Sequence, residues 1–453
     1  MLRAMRRVLA SLVLLTGCAG ALSDGDPSDP ASPEDPWHLA SDAGPDATQG
    51  GDAAGGPLLG YGDGASDAGF TCASPPVNAL AAGLHIRDIA VYQTVKVPLV
   101  QNGALVVERV PPIVQRKKAL VRVFVDLMPD YTPRGVRGVL ALHHAGSTSV
   151  AVDLHVMRGA SNDGNLGSTF NFEVPAELVG PDTALSISLE EPGCQSGNGL
   201  PVDARFPQLG AHPLATTAIE RLELVIVPVR LDGRTPSTSE SELSIVRTDL
   251  IAFYPVPDVK IRIRAPIDAE NPLDATQQTS WSLLLGQIER TRAADNPAPN
   301  VYYMGVVQPT ATRRSYCLGS CVLGLAPLNS HAAPEKQIAV GASFGDGQVS
   351  TTIVHELGHA HGRGHAPCVA NGSISDTDPS YPDPMGATGT WGWDSRTNEI
   401  RYPDDSDVMG YCNPRWISAY TYAAIAERSV RVNRGDERSN PPAAREQRSD
   451  TTP

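Results

Sequence analysis

The chain has 453 residues, a formal net charge of −14, 42 glycines, 39 prolines and only 5% aromatic residues. That length suits two or three domains. The acidity argues against nucleic acid as a partner and against a polybasic membrane patch, since both need clustered Lys and Arg, and its simplest meaning is solubility.

Arg3, Arg6 and Arg7 open the chain and precede the apolar run Val8 to Leu15, which is too short to cross a bilayer as a stable helix. Leu15-Thr16-Gly17-Cys18 follows and resembles a bacterial lipobox. The small residues admit the signal peptidase, and the Cys18 thiol is expected to take a diacylglycerol. The expectation is a lipoprotein signal peptide over 1–17 and an exported, lipid-anchored protein facing the periplasm or cell surface. Ala19 rather than Asp after the cysteine favours the outer membrane. Residues 18–76 are rich in Asp, Gly, Ala, Pro and Ser and lack Lys and Arg. Such a stretch cannot offset its chain entropy by burial and is expected to be a disordered tether.

Over 77–215 the pattern is that of strands. Ala119 to Val125, Gly138 to His144, Val150 to Val156, Thr169 to Val174 and Ala184 to Leu189 alternate apolar and polar residues between turn-forming gaps. The expected fold is an all-β, immunoglobulin-like sandwich. From 216 to 432 strands and helices alternate, which predicts an α/β domain. Strands are expected at Leu222–Arg230, Val259–Arg264, Asn300–Val307 and Gln337–Gly341. Helices are expected at Ser239–Tyr254, with Ser239 as N-cap, at Trp281–Ala294 and at Ile417–Val432. Residues 433–453 read as a disordered tail, and the chain is expected to act as a monomer.

The chemistry concentrates in His355-Glu356-Leu357-Gly358-His359-Ala360-His361-Gly362-Arg363-Gly364-His365, which fits HExxHxxGxxH. His355 and His359 lie one turn apart on one helix face, so both imidazoles can grip one ion. Glu356 is placed to reach water beside that ion rather than the ion itself. Gly362 lets the backbone leave the helix at positive φ and return His365 as third ligand. Three imidazoles leave a fourth position open, as a catalytic zinc requires and a structural zinc does not. His361 falls outside the pattern and reads as an incidental polar side chain.

Downstream, Ser406-Asp407-Val408-Met409-Gly410-Tyr411 resembles the Met-turn of metzincins, with Met409 as the methionine. Together the two motifs resemble the metzincin zinc proteases, and within them the exported bacterial StcE-type (M66-like) metalloproteases. Gly386 to Asp394 and Met409 to Ser418 carry that closer likeness. The resemblance implies one catalytic Zn2+, Glu356 as general base, and hydrolysis of peptide bonds in extracellular proteins or glycoproteins. It also implies a role for Tyr411 at the zinc or the oxyanion. A substrate strand should pair along an edge strand near Gln337–Gly341.

Other residues have two readings. Trp391 and Trp393 either line a specificity pocket or stack on a sugar, or they are core of a long loop. Asp376, Asp378, Asp383 and Asp394 either hold a structural Ca2+ or serve turns. Six cysteines besides Cys18 suit disulfides in an exported protein, and spacing alone leaves their pairing open. The expected pairs are Cys368 with Cys412 beside the site, Cys317 with Cys321 in a small loop, and Cys72 with Cys194. A CxxxC zinc ribbon competes for Cys317 and Cys321, but no second pair of suitable spacing exists. The competing function is a binding module with structural zinc, against which Glu356 argues.

Overall fold

Alternating apolar residues in the first half of the chain build two facing sheets, and a longer mixed sheet follows. The computed structural model describes residues 15–20, 79–191, 202–318, 321–329, 333–368 and 376–434. The expected tether beyond residue 20, the expected tail, Cys72 and Cys194 therefore lie outside the described residues.

Leu15–Gly20 (β1) is a strand whose partner belongs to the later sheet. Next come Leu84–Gln93 (β2), Val95–Gln101 (β3), Ala119–Leu127 (β4), Gly135–His144 (β5), Ser147–Val156 (β6), Phe170–Val174 (β7) and Ala184–Glu191 (β8). One sheet runs β7-β4-β2-β3, and the other runs β8-β5-β6. Ile89, Val91, Val121 and Val123 from the first meet Val136, Leu140, Leu185 and Ile187 from the second in one core.

Strand β6 turns its two faces the opposite way from its neighbours. Its apolar residues face outward and its polar ones inward. The reason lies in the facing sheet, because Asp153 accepts the Asn171 amide of β7 at 2.9 Å and the His155 ring contacts the Gly167 carbonyl. These side chains close one side of the two-sheet core.

The third sheet is built from Leu222–Arg230 (β9), Val259–Ile263 (β10), Val301–Val307 (β11), Cys321–Pro327 (β12) and Ile338–Ala342 (β13). Its order is β1-β12-β13-β11-β9-β10, with β13, β11, β9 and β10 parallel and β12 antiparallel to β13. Strand β9 is apolar almost throughout because both its faces are covered. Leu222, Leu224 and Ile226 enter one core, and Val225, Val227 and Val229 the other. Helix α1 (Glu240–Phe253), α3 (Val349–Ala360) and α4 (Ala419–Arg434) cover the first face, and α2 (Gln278–Asp295) covers the second. Ser239 caps α1, its hydroxyl accepting the Glu242 amide at 3.4 Å. No helix among the described residues is long and apolar enough to cross a membrane.

One placement is corrected. Gln337–Gly341 was expected at the sheet edge, but β13 is interior, flanked by β11 and β12. The apolar run Cys-Val-Leu-Gly-Leu-Ala-Pro of β12 stands between it and the outermost strand. Its antiparallel neighbour there is β1.

The loop between the third histidine and Met409 returns to the first sheet. Gly392–Asp394 (β14) and Glu399–Arg401 (β15) extend it beside β3, giving the order β7-β4-β2-β3-β14-β15. The turn between β2 and β3 is bonded directly to the later part of the chain. The Thr94 carbonyl accepts the Trp416 indole N–H at 3.0 Å and the Trp393 amide at 2.9 Å, and its hydroxyl donates to the Ala252 carbonyl at 2.7 Å. Lys117 Nζ donates to the carbonyls of Ile251 and Tyr254 at the C-terminal end of α1. A cation there complements the helix dipole.

Candidate metal centre

Helix α3 carries the first two imidazoles. Ile353, Val354, Leu357 and Ala360 bury it against the sheet and fix its roll. The helix then ends in a Schellman arrangement, with Gly362 N–H bonded to the His359 carbonyl at 2.8 Å and Arg363 N–H to the Gly358 carbonyl at 3.0 Å. Gly362 sits at φ +83°, a conformation that costs a glycine little. The reversal brings His365 back towards the helix. His365 is held by a parallel bridge to Thr377, with its amide bonded to the Asp376 carbonyl at 3.1 Å.

The three side chains converge. Ring nitrogens of His355, His359 and His365 lie within 4.8 Å of one another, and all three residues are buried. His359 Nε2 and His365 Nε2 are 3.1 Å apart. A tetrahedron of zinc–nitrogen bonds near 2.0–2.1 Å has an edge of about 3.3 Å, so this spacing fits one ion. Second partners set the tautomers. His355 Nδ1 contacts the Val408 carbonyl at 2.8 Å, and His359 Nδ1 contacts the Arg363 carbonyl at 2.7 Å. A carbonyl only accepts, so each Nδ1 holds the proton and each Nε2 keeps its lone pair for a metal. His355 Nε2 is buried and has no hydrogen-bond partner among the described residues. Burial, then the neighbouring imidazoles, hold the His355 pKa well below its ordinary value, and burial with His365 lowers that of His359 to about 3. Neutral imidazole is the ligand form.

Glu356 is 1% exposed, beside the triad on α3. Strand β12 makes room for it, because a Cβ on Gly324 would lie 2.5 Å from Glu356 Oε1 and 2.7 Å from its Cγ. Helix α3 makes similar room for Met409. A Cβ on Gly358 would lie 2.3 Å from the Met409 sulfur. Met409 is buried in a turn held by Asp407, whose carboxylate accepts the Met409 amide at 2.8 Å and the Ser418 amide at 2.9 Å. The Met409 carbonyl accepts the Ala366 amide at 3.1 Å, which ties this turn to the third histidine. Tyr411 follows, with its hydroxyl 3.0 Å from His365 Nε2 and its ring stacked at 5.5 Å on that of His355. Cys368 and Cys412 form a disulfide that joins the segment after His365 to the residue after Tyr411. Cys317 and Cys321 form a second disulfide, so neither thiol is left for a zinc ribbon.

One expectation changes and two open readings narrow. His361 is not an incidental surface group. It is 3% exposed, stacks on Tyr302 at 4.4 Å and bonds the Leu357 carbonyl through Nδ1 at 2.7 Å. Burial lowers its pKa to about 3. Trp393 is core, packed with Tyr92, Leu120 and Phe124, whereas Trp391 is half-buried with its ring 5.1 Å from that of Tyr402. Three of the four carboxylates considered for calcium are otherwise engaged. Asp378 pairs with Arg363 at 2.8 Å, Asp383 accepts the Met385 and Ala387 amides, and buried Asp394 pairs with Arg396 and Arg401, both at 2.7 Å. Asp376 contributes its carbonyl to His365. Among the described residues the three histidines are the one group placed to hold an ion.

Gly324 and Gly358 escape sequence reasoning, since glycine in a strand or at an unspecified motif position carries no distinctive signal. Tyr254 also escapes it. Its hydroxyl donates to the Val354 carbonyl at 2.7 Å and ties α1 to the metal-site helix.

Residues 337–416 match the family model described as Peptidase M66. The match runs from β13 through α3 to Trp416 and covers all three histidines, Glu356 and Met409. It marks the segment as that of a metallopeptidase, whose substrate is a protein. No curated protein matches the chain.

Proposed function

We infer that the protein is an exported zinc-dependent endopeptidase of metzincin type, cutting extracellular proteins or glycoproteins. An immunoglobulin-like sandwich would precede its catalytic domain. The observation that carries this reading is the convergence of three buried imidazoles on one point, with Glu356 beside them. His355, His359 and His365 would hold the ion through Nε2, with the Val408 and Arg363 carbonyls fixing the first two rings. Zinc, when bound, supplies Lewis acidity toward the scissile carbonyl and lowers the pKa of water it holds.

The chain's own residues do the rest. The Glu356 carboxylate accepts a proton from the attacking water and delivers it to the leaving amine nitrogen. The Tyr411 hydroxyl, within reach of His365, is placed to donate to the developing oxyanion. Met409, whose sulfur lies against Gly358 of the metal-site helix, would support the imidazoles from below.

The same reading gives Cys18 a lipid and the chain a place on the outer membrane, as the Arg-rich start and the Leu15–Cys18 segment support. Its test is a panel of unfolded proteins and mucin-type glycoproteins, incubated with the full chain carrying Cys18→Ser. Cleavage should stop on chelation and return with zinc. Undiminished cleavage after complete metal removal would refute the metal role, and cleavage of the glycoproteins alone would identify the glycan as part of the substrate.

A further inference from the structure

Strand β6 carries its amphipathicity reversed. Val150, Val152, Leu154 and Val156 are 51%, 42%, 61% and 46% exposed, while Ser149, Ala151, Asp153 and His155 face the core. The strand is ten residues long, pairs with β5 on one side in unbroken register, and stands last in its sheet. It has no proline, no lysine and no bulge, the devices that usually blunt such an edge. The outward row is uncharged, on a chain whose net charge is −14. Two copies that repel elsewhere can approach along it. Across β5 the row continues through half-buried Val139 and Ala141, which pair with Val152 and Val150.

We propose that β6 is the contact between two copies of this chain, paired antiparallel edge to edge about a two-fold axis through Val152. In that register Val152 faces its own counterpart, Val150 faces Leu154, Ser149 faces His155 and Ala151 faces Asp153. The register one step along places Asp153 opposite Asp153, and like charges directly opposite are destabilising. The register one step the other way sets Ala151 against Ala151, a weaker cross-strand pair than Val152 against Val152. An isologous contact of this kind closes on itself and does not propagate into fibres.

Size sets the strength. A ten-residue strand is about 34 Å long, and a side about 10 Å deep offers roughly 340 Å² per copy. The total of about 700 Å² is below the ~1,200 Å² of stable complexes. A contact of that size makes a weak dimer whose population rises with concentration.

The experiment uses the full chain with Cys18→Ser, so that no acyl group adds its own association. Sedimentation velocity over a hundredfold concentration range should show a monomer passing to a dimer. Val152→Lys should leave a monomer throughout, with an unchanged melting temperature. Val152→Cys should form a disulfide between the two copies under mild oxidation, while Leu154→Cys, displaced from the axis, should form far less. A wild type that stays monomeric with no crosslink at Val152→Cys would overturn the proposal, as would a dimer that survives Val152→Lys. A monomer that loses thermal stability on Val152→Lys would put another segment of the same chain on the row and overturn it equally.

Discussion

Several side chains at the site depend on a neighbour being small. Glu356 has its position because Gly324 has no Cβ, and Met409 because Gly358 has none. Gly324→Ala should displace the carboxylate while leaving the three imidazoles alone. A misplacement near 1 Å costs about 10²-fold in rate, so turnover should fall by roughly that factor at unchanged metal content. Parallel activity and metal assays check this, and loss of metal in the variant would show that the glycine serves the fold instead. His361 makes a separate prediction. Its folded pKa, about 3, lies below the ordinary value of 6.5. The unfolded chain therefore takes up a proton below pH 6.5 that the folded chain refuses. The stability this group contributes is present above pH 6.5 and is lost as pH falls toward 3, at up to about 1.4 kcal/mol per unit. Metal-free wild type should lose about 2 kcal/mol more than His361→Phe between pH 7 and pH 5, measured by denaturant unfolding. Equal losses would mean that His361 is already charged in the folded state.

At the level of elements, the sequence was most legible where period and punctuation agree. Ser239 marked the start of α1, and the alternation of Ala119 to Val125 marked β4. The histidine triad was legible because ligand spacing on a helix is a covalent pattern. What stayed hidden depends on long-range packing. Strand β12 reads as a short apolar run with no period to distinguish it. The residues of β14 and β15 read as loop, because β3, on which β14 pairs and β15 follows, lies some 300 residues away. The reversed face of β6 was invisible, since alternation fixes two faces but not which one meets the core. The Cys368–Cys412 bridge joins two of these loop segments across 44 residues. Replacing both cysteines with serine should cost about 2–4 kcal/mol on the chain-entropy account. It should also loosen Tyr411, whose amide bonds the Cys368 carbonyl at 2.9 Å. Thermal unfolding of the double variant reads the first effect. An unchanged melting temperature would show that the surrounding hydrogen bonds suffice without the bridge.

Across the whole molecule, the early sheets and the metal-site region share a hydrogen-bonded and apolar boundary. Thr94 stands at φ +94°, an uncommon conformation for a β-branched residue, and its carbonyl and hydroxyl are both engaged with later parts of the chain. Val95 and Val114 belong to the core that also holds Met409 and Trp416. Buried Lys117 ends at the carbonyls closing α1, the helix that packs on α3 through Leu250 and Tyr254. A fragment starting at residue 216 would expose this boundary and strip β14 and β15 of their partner. Such a fragment should be insoluble or molten, as near-ultraviolet circular dichroism and proteolysis would reveal, whereas a folded, metal-binding fragment would show that the early sheets are accessory.

Turnover at this site depends on Glu356 moving protons for an ion held by three histidines. The most direct measurement compares wild type with Glu356→Gln, quantifying bound zinc and the rate of cleavage of an unfolded protein in the same samples. Equal zinc with a rate lowered by about 10²–10⁴-fold is the expected result. Equal zinc with an unchanged rate would contradict the assignment of the base, and an absence of zinc from the wild type itself would contradict the metal centre on which the account rests.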